Sequence, residues 1–168
     1  MTMVLVAYGT KHGATAQIAE EIGKALSSTG LQVTVLPAGQ VDSVAAYDAV
    51  VLGSGVYAGM WRKPAVTLLK RYAEELAQKP VWLFSSGPTG DQDPLEATQG
   101  WRFPTGLQPT ADAIQPRDIA LFRGAVDEAK LGLLDKFMVK AAKAPFGDFR
   151  DWETIQAWAG GIAAALQA

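Results

Sequence analysis

The pattern of hydrophobic and polar positions changes along this chain between short apolar runs and helical spacing. These two patterns follow each other in turn and predict alternating strands and helices. Short apolar runs predict strands at residues 3–8, 32–36, 49–53, 81–85 and 119–123. Apolar residues three or four positions apart predict helices at 14–28, 41–46, 63–78, 130–143 and 152–165. The stretch 87–116 is rich in Gly and Pro and has little periodicity, which indicates a functional segment or a hidden helix.

Strands that alternate with helices predict a parallel sheet with right-handed crossovers and helices on both faces. The sequence therefore predicts an α/β fold with three layers, and five strands is the size of a doubly wound sheet. We expect these elements to form one domain, because 168 residues suit a single core.

Composition narrows the possible partners and chemistries. The net charge of -2 gives no general attraction to nucleic acid or to an acidic membrane surface. The chain has no cysteine, which excludes disulfides, thiolate metal sites and cysteine nucleophiles. Its first residues read as a strand rather than a signal peptide, and no apolar run approaches the roughly 20 residues of a membrane helix. We expect a cytoplasmic protein.

Three unusual loops follow predicted strands, and ligands of open α/β sheets bind at the carboxyl ends of strands. The first loop is GTKHGAT, from Gly9 to Thr15. It combines the hydroxyls of Thr10 and Thr15 with Gly13, with the charge of Lys11, and with the free N–H groups that begin a helix. Orphan donors at the positive end of a helix dipole favour a phosphate. Ordinary helix capping around a tight turn explains the loop about equally well.

The second loop is GSGVYAGMW, from Gly53 to Trp61. Its start fits the GxGxxG/A pattern of dinucleotide-binding proteins, but it follows the third predicted strand and the next helix begins only near Lys63. Dinucleotide binding is therefore disfavoured. Glycines beside Tyr57 and Trp61 suit a loop that brings backbone against a flat ring while an aromatic side chain covers it. An ordinary turn with buried aromatics is the alternative.

The third loop is SSGPTGDQD, from Ser85 to Asp93. It offers backbone amides and hydroxyls, without a base and a nucleophile in an evident pair. Taken alone, it would be interpreted as a flexible surface loop. Three such loops on one edge of a sheet are a stronger indication of a ligand site than any one of them.

Other chemistries lack the residues that they need. His12 is the single histidine, and no GxSxG frame surrounds a serine. The scattered carboxylates have no spacing of metal ligands, and no GxxxxGK[ST] phosphate loop occurs. A phosphoreceiver domain needs a carboxylate after the third strand and an acidic pair after the first. Here those positions hold Gly53 and Ser54, and Gly9 and Thr10.

The segment YGTKHGATAQIAEEI resembles the phosphate-binding signature of the flavodoxin family, and the other two loops lie where that family's flavin-ring loops fall. The resemblance implies FMN as the cofactor and a flavodoxin-like, five-stranded parallel sheet in the order 2-1-3-4-5. It implies that the phosphate is held by Thr10, Lys11, His12, Gly13, Ala14 and Thr15. It implies that one side of the isoalloxazine is lined by Ser54, Gly55, Val56, Tyr57 and Ala58, and the other by Ser86, Gly87, Pro88, Thr89 and Gly90.

The segment LFRGAVDEAKLGLLDKFMVKAAKAPFGDFRDWETIQAWAGGI resembles the flavodoxin-type menaquinone-dependent protoporphyrinogen dehydrogenases. These proteins carry an insertion between the last strand and the last helix. The resemblance implies one domain over residues 1–168 with an insertion at about 125–150. It implies an FMN-dependent oxidoreductase whose partner is a redox protein, a quinone or a porphyrinogen-like small molecule. A non-catalytic electron carrier and an interaction module without FMN are the alternatives.

The predicted helix of the insertion carries an apolar stripe beside three lysines. The stripe comprises Leu131, Leu134, Phe137, Met138 and Ala141, and the lysines are Lys136, Lys140 and Lys143. Most such stripes pack on the core, and we favour that interpretation here. The alternative is a surface for a quinone, a partner subunit or a membrane, with peripheral membrane contact through residues 131–143.

Overall fold

A computed structural model describes residues 1–141 and 145–168, in which strands and helices alternate as the sequence predicts. The strands are β1 Met3–Gly9, β2 Gln32–Pro37, β3 Ala49–Tyr57, β4 Met60–Trp61, β5 Val81–Ser86, β6 Asp118–Phe122, β7 Ala125–Val126 and β8 Gly147–Asp148. The helices are α1 Ala14–Ser27, α2 Lys63–Arg71, α3 Ala73–Leu76, α4 Pro94–Ala97, α5 Gln108–Ile114, α6 Leu133–Ala141 and α7 Trp152–Gln167. Short 3₁₀ turns lie at Ala38–Gln40, Thr105–Leu107 and Glu128–Lys130.

The central sheet has the order β2-β1-β3-β5-β6, and these five strands are parallel. They are the five predicted strands, so the predicted order 2-1-3-4-5 and the flavodoxin-like fold class are confirmed. The two-residue strand β4 adds an antiparallel pair with the end of β3, and β7 pairs with β8 in a separate hairpin. The periodicity signal misses β4, β7 and β8 because two residues carry no period.

Alternating side chains of the sheet divide the core between its two faces. On one face, Leu5, Leu52 and Leu83 are fully buried among residues from α2, α3 and α5. On the other, Val6 and Val51 are buried against α1 and α7. A parallel sheet covered on both faces keeps its strands apolar at almost every position. The same arrangement leaves the carboxyl ends of the strands as the open edge for a ligand.

Two predicted helices differ from the structure. Residues 41–46, all within the described part of the chain, form no helix, and Lys79 Nζ binds the backbone oxygens of Val44 and Tyr47 at 2.8 and 2.9 Å instead. The helix predicted at 63–78 is interrupted at Tyr72, which has φ -105° and ψ 20°. Its hydroxyl donates to the backbone oxygen of Asp42 at 2.7 Å, and this contact joins the interruption to the neighbouring loop.

The limits of three other predicted segments also differ from those in the structure. Strand β3 continues beyond Gly53 to Tyr57, because β5 pairs with Ser54 and Gly55 and β4 with the next two residues. The stretch 87–116 contains the hidden helices, α4 and α5. The helix predicted at 130–143 begins later, at Leu133, after the 3₁₀ turn, and residues 142–144 lie outside the described residues. Of the helices within the described ranges, none is both long and apolar enough to cross a bilayer.

Candidate functional site

A cavity of about 140 Å³ opens at the carboxyl ends of β1, β3 and β5, where the three predicted loops meet. Ten residues predicted from the sequence line it: Thr10, Lys11, His12, Ala14, Thr15, Gly55, Val56, Tyr57, Ser86 and Gly87. A wider opening of about 610 Å³ adjoins it and shares His12 and Ala14 with it. The fold therefore brings parts of all three loops to one site, as the strand order requires.

The first loop turns sharply into α1. Gly13 has φ +95°, a left-handed conformation that glycine adopts without the usual steric cost. Its N–H donates to Thr10 Oγ1 at 3.0 Å, which closes the turn. Within the described ranges, α1 has no side-chain cap and no acidic residue in its first turn, whereas Asp151 caps α7. The N–H groups that begin α1 are thus available to an anion.

Hydroxyls and a glycine hold the three loops close together. Thr15 Oγ1 and Ser86 Oγ share a hydrogen bond of 2.9 Å, and both residues are buried. A Cβ on Gly55 would lie 2.8 Å from Thr15 Oγ1, so only glycine allows the second loop to approach the first this closely. The floor of the cavity therefore depends on the small size of these residues.

Two serines and a tryptophan of the loops support the site from behind. Ser54 Oγ donates to the backbone oxygen of Gly55 at 2.8 Å and accepts from the N–H of Arg62 at 2.9 Å. Trp61 Nε1 donates to Ser85 Oγ at 2.8 Å, and its ring packs edge-on against Phe103, with 5.1 Å between centroids. Because Trp61 is 4% exposed, it is part of the core and cannot cover a ligand ring.

The remaining predicted residues lie around the cavity rather than on its wall. Ser54 is fully buried behind it, Gly13 lines the wider opening, and Pro88 lines a third opening beside Trp101. Among the described residues, Ala58, Thr89 and Gly90 line none of these three openings. Sequence reasoning missed eight lining residues: Arg62, Gly124, Ala125, Val126, Asp127, Leu131, Asp135 and Val139. Most belong to the insertion, whose position against the site no local signal reveals.

Asp135 of α6 contacts three side chains of the first and second loops. Lys11 Nζ lies 2.9 Å from both carboxylate oxygens, and His12 Nε2 lies 3.2 Å from one of them. The Tyr57 hydroxyl donates to the same carboxylate and lies 3.0 Å from Met138 Sδ. Lys11 Nζ also lies 3.8 Å from the centroid of the Tyr57 ring. These contacts attach the insertion helix to the rim of the cavity.

The apolar stripe of α6 does not pack on the core, so the interpretation favoured from the sequence is wrong. Leu134 and Phe137 are 70% and 69% exposed, and the neighbouring Leu133 is 88% exposed. The buried side of the helix carries Asp135 instead, with 8% exposure. The inward side of α6 thus combines this polar contact with Met138 and Val139, whereas Leu133, Leu134 and Phe137 are directed outward.

The ion pair changes the proton affinity of both partners. The hydrogen bond from Tyr57 and then that from Lys11 lower the pKa of Asp135 from 3.8 to about 2. The same carboxylate raises the pKa of Lys11 above its ordinary 10.5. Asp135 is therefore anionic, and Lys11 cationic, across the physiological range of pH.

We expect the Lys11–Asp135 ion pair to contribute to the attachment of α6 throughout the range from about pH 4 to about pH 10, because both partners stay charged there. A lowered carboxyl pKa gives stability that is present above 3.8 and lost as the pH falls toward about 2. A raised lysine pKa gives stability that is present below 10.5 and lost above it. Hydrogen–deuterium exchange of the α6 amides, corrected for intrinsic rates, measures this. An Asp135→Asn control should show weaker protection than the wild type between about pH 4 and about pH 10. Equal protection in both proteins at pH 6 would contradict the prediction.

A protein-family model of the flavodoxin domain matches residues 5–151 of the chain. No curated protein matches the chain.

Solved structures share the fold. Flavodoxin 2 from Bacillus cereus is 22% identical with a TM-score of 0.62, over 99% of this chain and 100% of that one. Reduced flavodoxin from Megasphaera elsdenii is 25% identical with a TM-score of 0.54, over 71% of this chain and 85% of the other. Rubredoxin:oxygen oxidoreductase from Desulfovibrio gigas is 14% identical with a TM-score of 0.64, over 99% of this chain but 36% of that larger protein.

Proposed function

The chain belongs to the flavodoxin-domain family, which implies FMN as its cofactor, and from this premise we propose that it is an FMN-dependent oxidoreductase. We further propose the quinone-dependent protoporphyrinogen-dehydrogenase type, on the resemblance of the segment from Leu121 to Ile162. When bound, FMN supplies hydride and single-electron chemistry, so the chain needs no acid or base of its own. The task of the protein is to bind, orient and shield the cofactor.

The residues at the open edge fit this cofactor. The uncapped start of α1 offers N–H groups to a phosphate, with the hydroxyl of Thr10 beside them. Gly55 and Gly87 let backbone approach a flat ring from the second and third loops. The position of Tyr57 is held by α6, and in our proposal its ring covers the flavin ring. We propose that these groups anchor the phosphate and enclose the isoalloxazine.

The observation that carries the proposal of an enzyme is the position of α6. A protein that only carries electrons benefits from a flavin edge that a partner protein can reach directly. Here the inserted helix α6 lies at the rim of the cavity, with its residues Asp135 and Val139 on the wall and Leu131, just before the helix, beside them. The outer face of that helix presents Leu133, Leu134 and Phe137 to solvent. A substrate or acceptor that partitions into membranes, such as a quinone, would contact this apolar face.

The charges beside the apolar face favour peripheral contact with an anionic membrane. Lys136 and Lys140 lie on the same helix as the exposed Leu133 and Phe137, in the arrangement of interfacial helices. The only acid of α6, Asp135, is turned inward and paired. We propose that the helix lies against the membrane surface and receives the quinone there.

We expect the reduced, FMN-loaded protein to be reoxidised rapidly by a soluble naphthoquinone under anaerobic conditions. Stopped-flow absorbance of the flavin measures the rate, and protoporphyrinogen consumption measures turnover. Free FMN at the same concentration is the control for non-enzymatic reoxidation. Reoxidation by quinone no faster than that of free FMN would contradict the proposal.

Two other functions predict different results, which two further measurements distinguish. An electron carrier, which the similarity to flavodoxins supports, would accept electrons from a flavodoxin reductase without turnover of quinone or porphyrinogen. An interaction module would leave FMN unbound, and no flavin absorbance would remain with the protein after gel filtration. The uncapped start of α1 and the hydroxyls around it favour a phosphate site, so they disfavour an interaction module without FMN.

A further inference from the structure

Asp135 is the one charged residue that is buried among those the structure describes. A buried charge is costly unless other groups pair with it, and it is uncommon on a helix whose leucines point to solvent. Burial of apolar surface does not explain this orientation, because Leu133, Leu134 and Phe137 are left exposed. The inward side is instead held by the contacts of Asp135 with the loops, beside those of Met138 and Val139.

Those contacts include Tyr57, the residue that covers the ligand ring in the proposed FMN site. The Tyr57 hydroxyl donates to the Asp135 carboxylate, and Met138 of the same helix lies 3.0 Å from that hydroxyl. Lys11 connects the carboxylate, at 2.9 Å, to the Tyr57 ring, at 3.8 Å from the centroid. The tyrosine is thus fixed at its hydroxyl by α6 and on its ring by a lysine that Asp135 also holds.

We propose that Asp135 is a positioning residue, which holds Tyr57 and Lys11 and thereby sets how the flavin ring is covered and how much positive charge it meets. The inference rests on the proposed FMN site. The hydrogen bond orients the tyrosine ring, and the negative charge neutralises Lys11. Asp135 therefore acts on the flavin through two other residues, and the two effects can be separated by substitution.

Asp135→Asn and Asp135→Ala separate the hydrogen bond from the charge. Asparagine keeps an oxygen that accepts from Tyr57 but leaves Lys11 without its counter-charge, whereas alanine removes both. An unneutralised lysine favours the reduced flavin, which is the more negative form. We expect both variants to shift the midpoint potential of the bound flavin to more positive values. We expect only Asp135→Ala to raise flavin fluorescence several-fold, because a stacked tyrosine quenches it.

The matched control is Glu128→Gln, which removes one negative charge from an exposed residue of the same insertion. Its fluorescence should equal that of the wild type, and its potential should shift less than that of Asp135→Asn. A merely structural anchor of α6 would leave the potential of the Asn variant at the wild-type value. That result, or a shift as large in Glu128→Gln, would overturn the proposal.

A double-mutant comparison tests whether the effect passes through Tyr57. In a Tyr57→Phe background, Asp135→Ala should cause no further increase in fluorescence, since its hydrogen-bond partner is already missing. A full increase in that background would also overturn the proposal. If Asp135→Ala fails to fold, the potential of Asp135→Asn decides. Wild-type protein that binds no FMN would instead refute the proposed function, so the two failures are distinguishable.

Discussion

Gly53→Ala is expected to destabilise the fold by about 3 kcal/mol, although it adds a single methyl group. Gly53 lies opposite Phe84 across the β3–β5 pair, and the Phe84 ring folds over the glycine. A Cβ at this position would overlap the ring carbons. The ring cannot move aside easily, because it is fully buried and packs 5.8 Å from Phe122 and 6.0 Å from Trp158 between centroids. Urea unfolding measures the loss.

A second substitution and a control make this prediction specific. Phe84→Leu removes Cε1 and Cζ, two of the three ring carbons that the new methyl group overlaps, so the two substitutions together should cost less than the sum of their separate effects. Gly160→Ala, in an open position of α7, should instead stabilise the protein by about 0.5–1 kcal/mol. A Gly53→Ala protein as stable as the wild type, or strict additivity with Phe84→Leu, would contradict the overlap.

The same glycine shows what the sequence could and could not predict about the fold. Apolar runs located all five parallel strands, because burial on both faces gives a continuous signal. The apolar run predicts a strand that ends at Gly53. The strand continues to Tyr57 because β5 and β4 pair with its last four residues, and the Phe84 ring of β5 compensates for the missing side chain of Gly53. That compensation depends on the register between two strands, and no single segment of sequence encodes it.

The site likewise has parts that local sequence predicts and parts that depend on contacts between distant segments. The three loops were found from glycines and hydroxyls at strand ends, and the strand order then brought them together. Asp135 was overlooked because its importance lies in contacts with Lys11 and Tyr57, which are distant in the chain. Its helix also reverses the usual rule that the apolar face is buried. Periodicity could locate α6 but could not indicate which side faces the protein.

Ala14→Asp is expected to have opposite effects on the empty protein and on its affinity for FMN. Ala14 is the first residue of α1, whose first turn contains no acid within the described residues. A carboxylate there interacts favourably with the helix dipole and should stabilise the empty protein by about 0.3–1 kcal/mol. It would also repel the phosphate that we place at the same N–H groups. Like charges a few ångströms apart cost several kcal/mol, so we expect the Kd for FMN to rise about 100-fold.

Three comparisons assign this loss to charge at the phosphate. Ala14→Asn has nearly the same size without the charge, and its Kd for FMN should stay within a few-fold of the wild-type value. Riboflavin, which lacks the phosphate, should bind Ala14→Asp and wild type with equal affinity in fluorescence titrations. Thermal unfolding of the empty proteins measures the stabilisation. If riboflavin binding weakens as much as FMN binding, the substitution has distorted the loop, and the start of α1 is not the phosphate site.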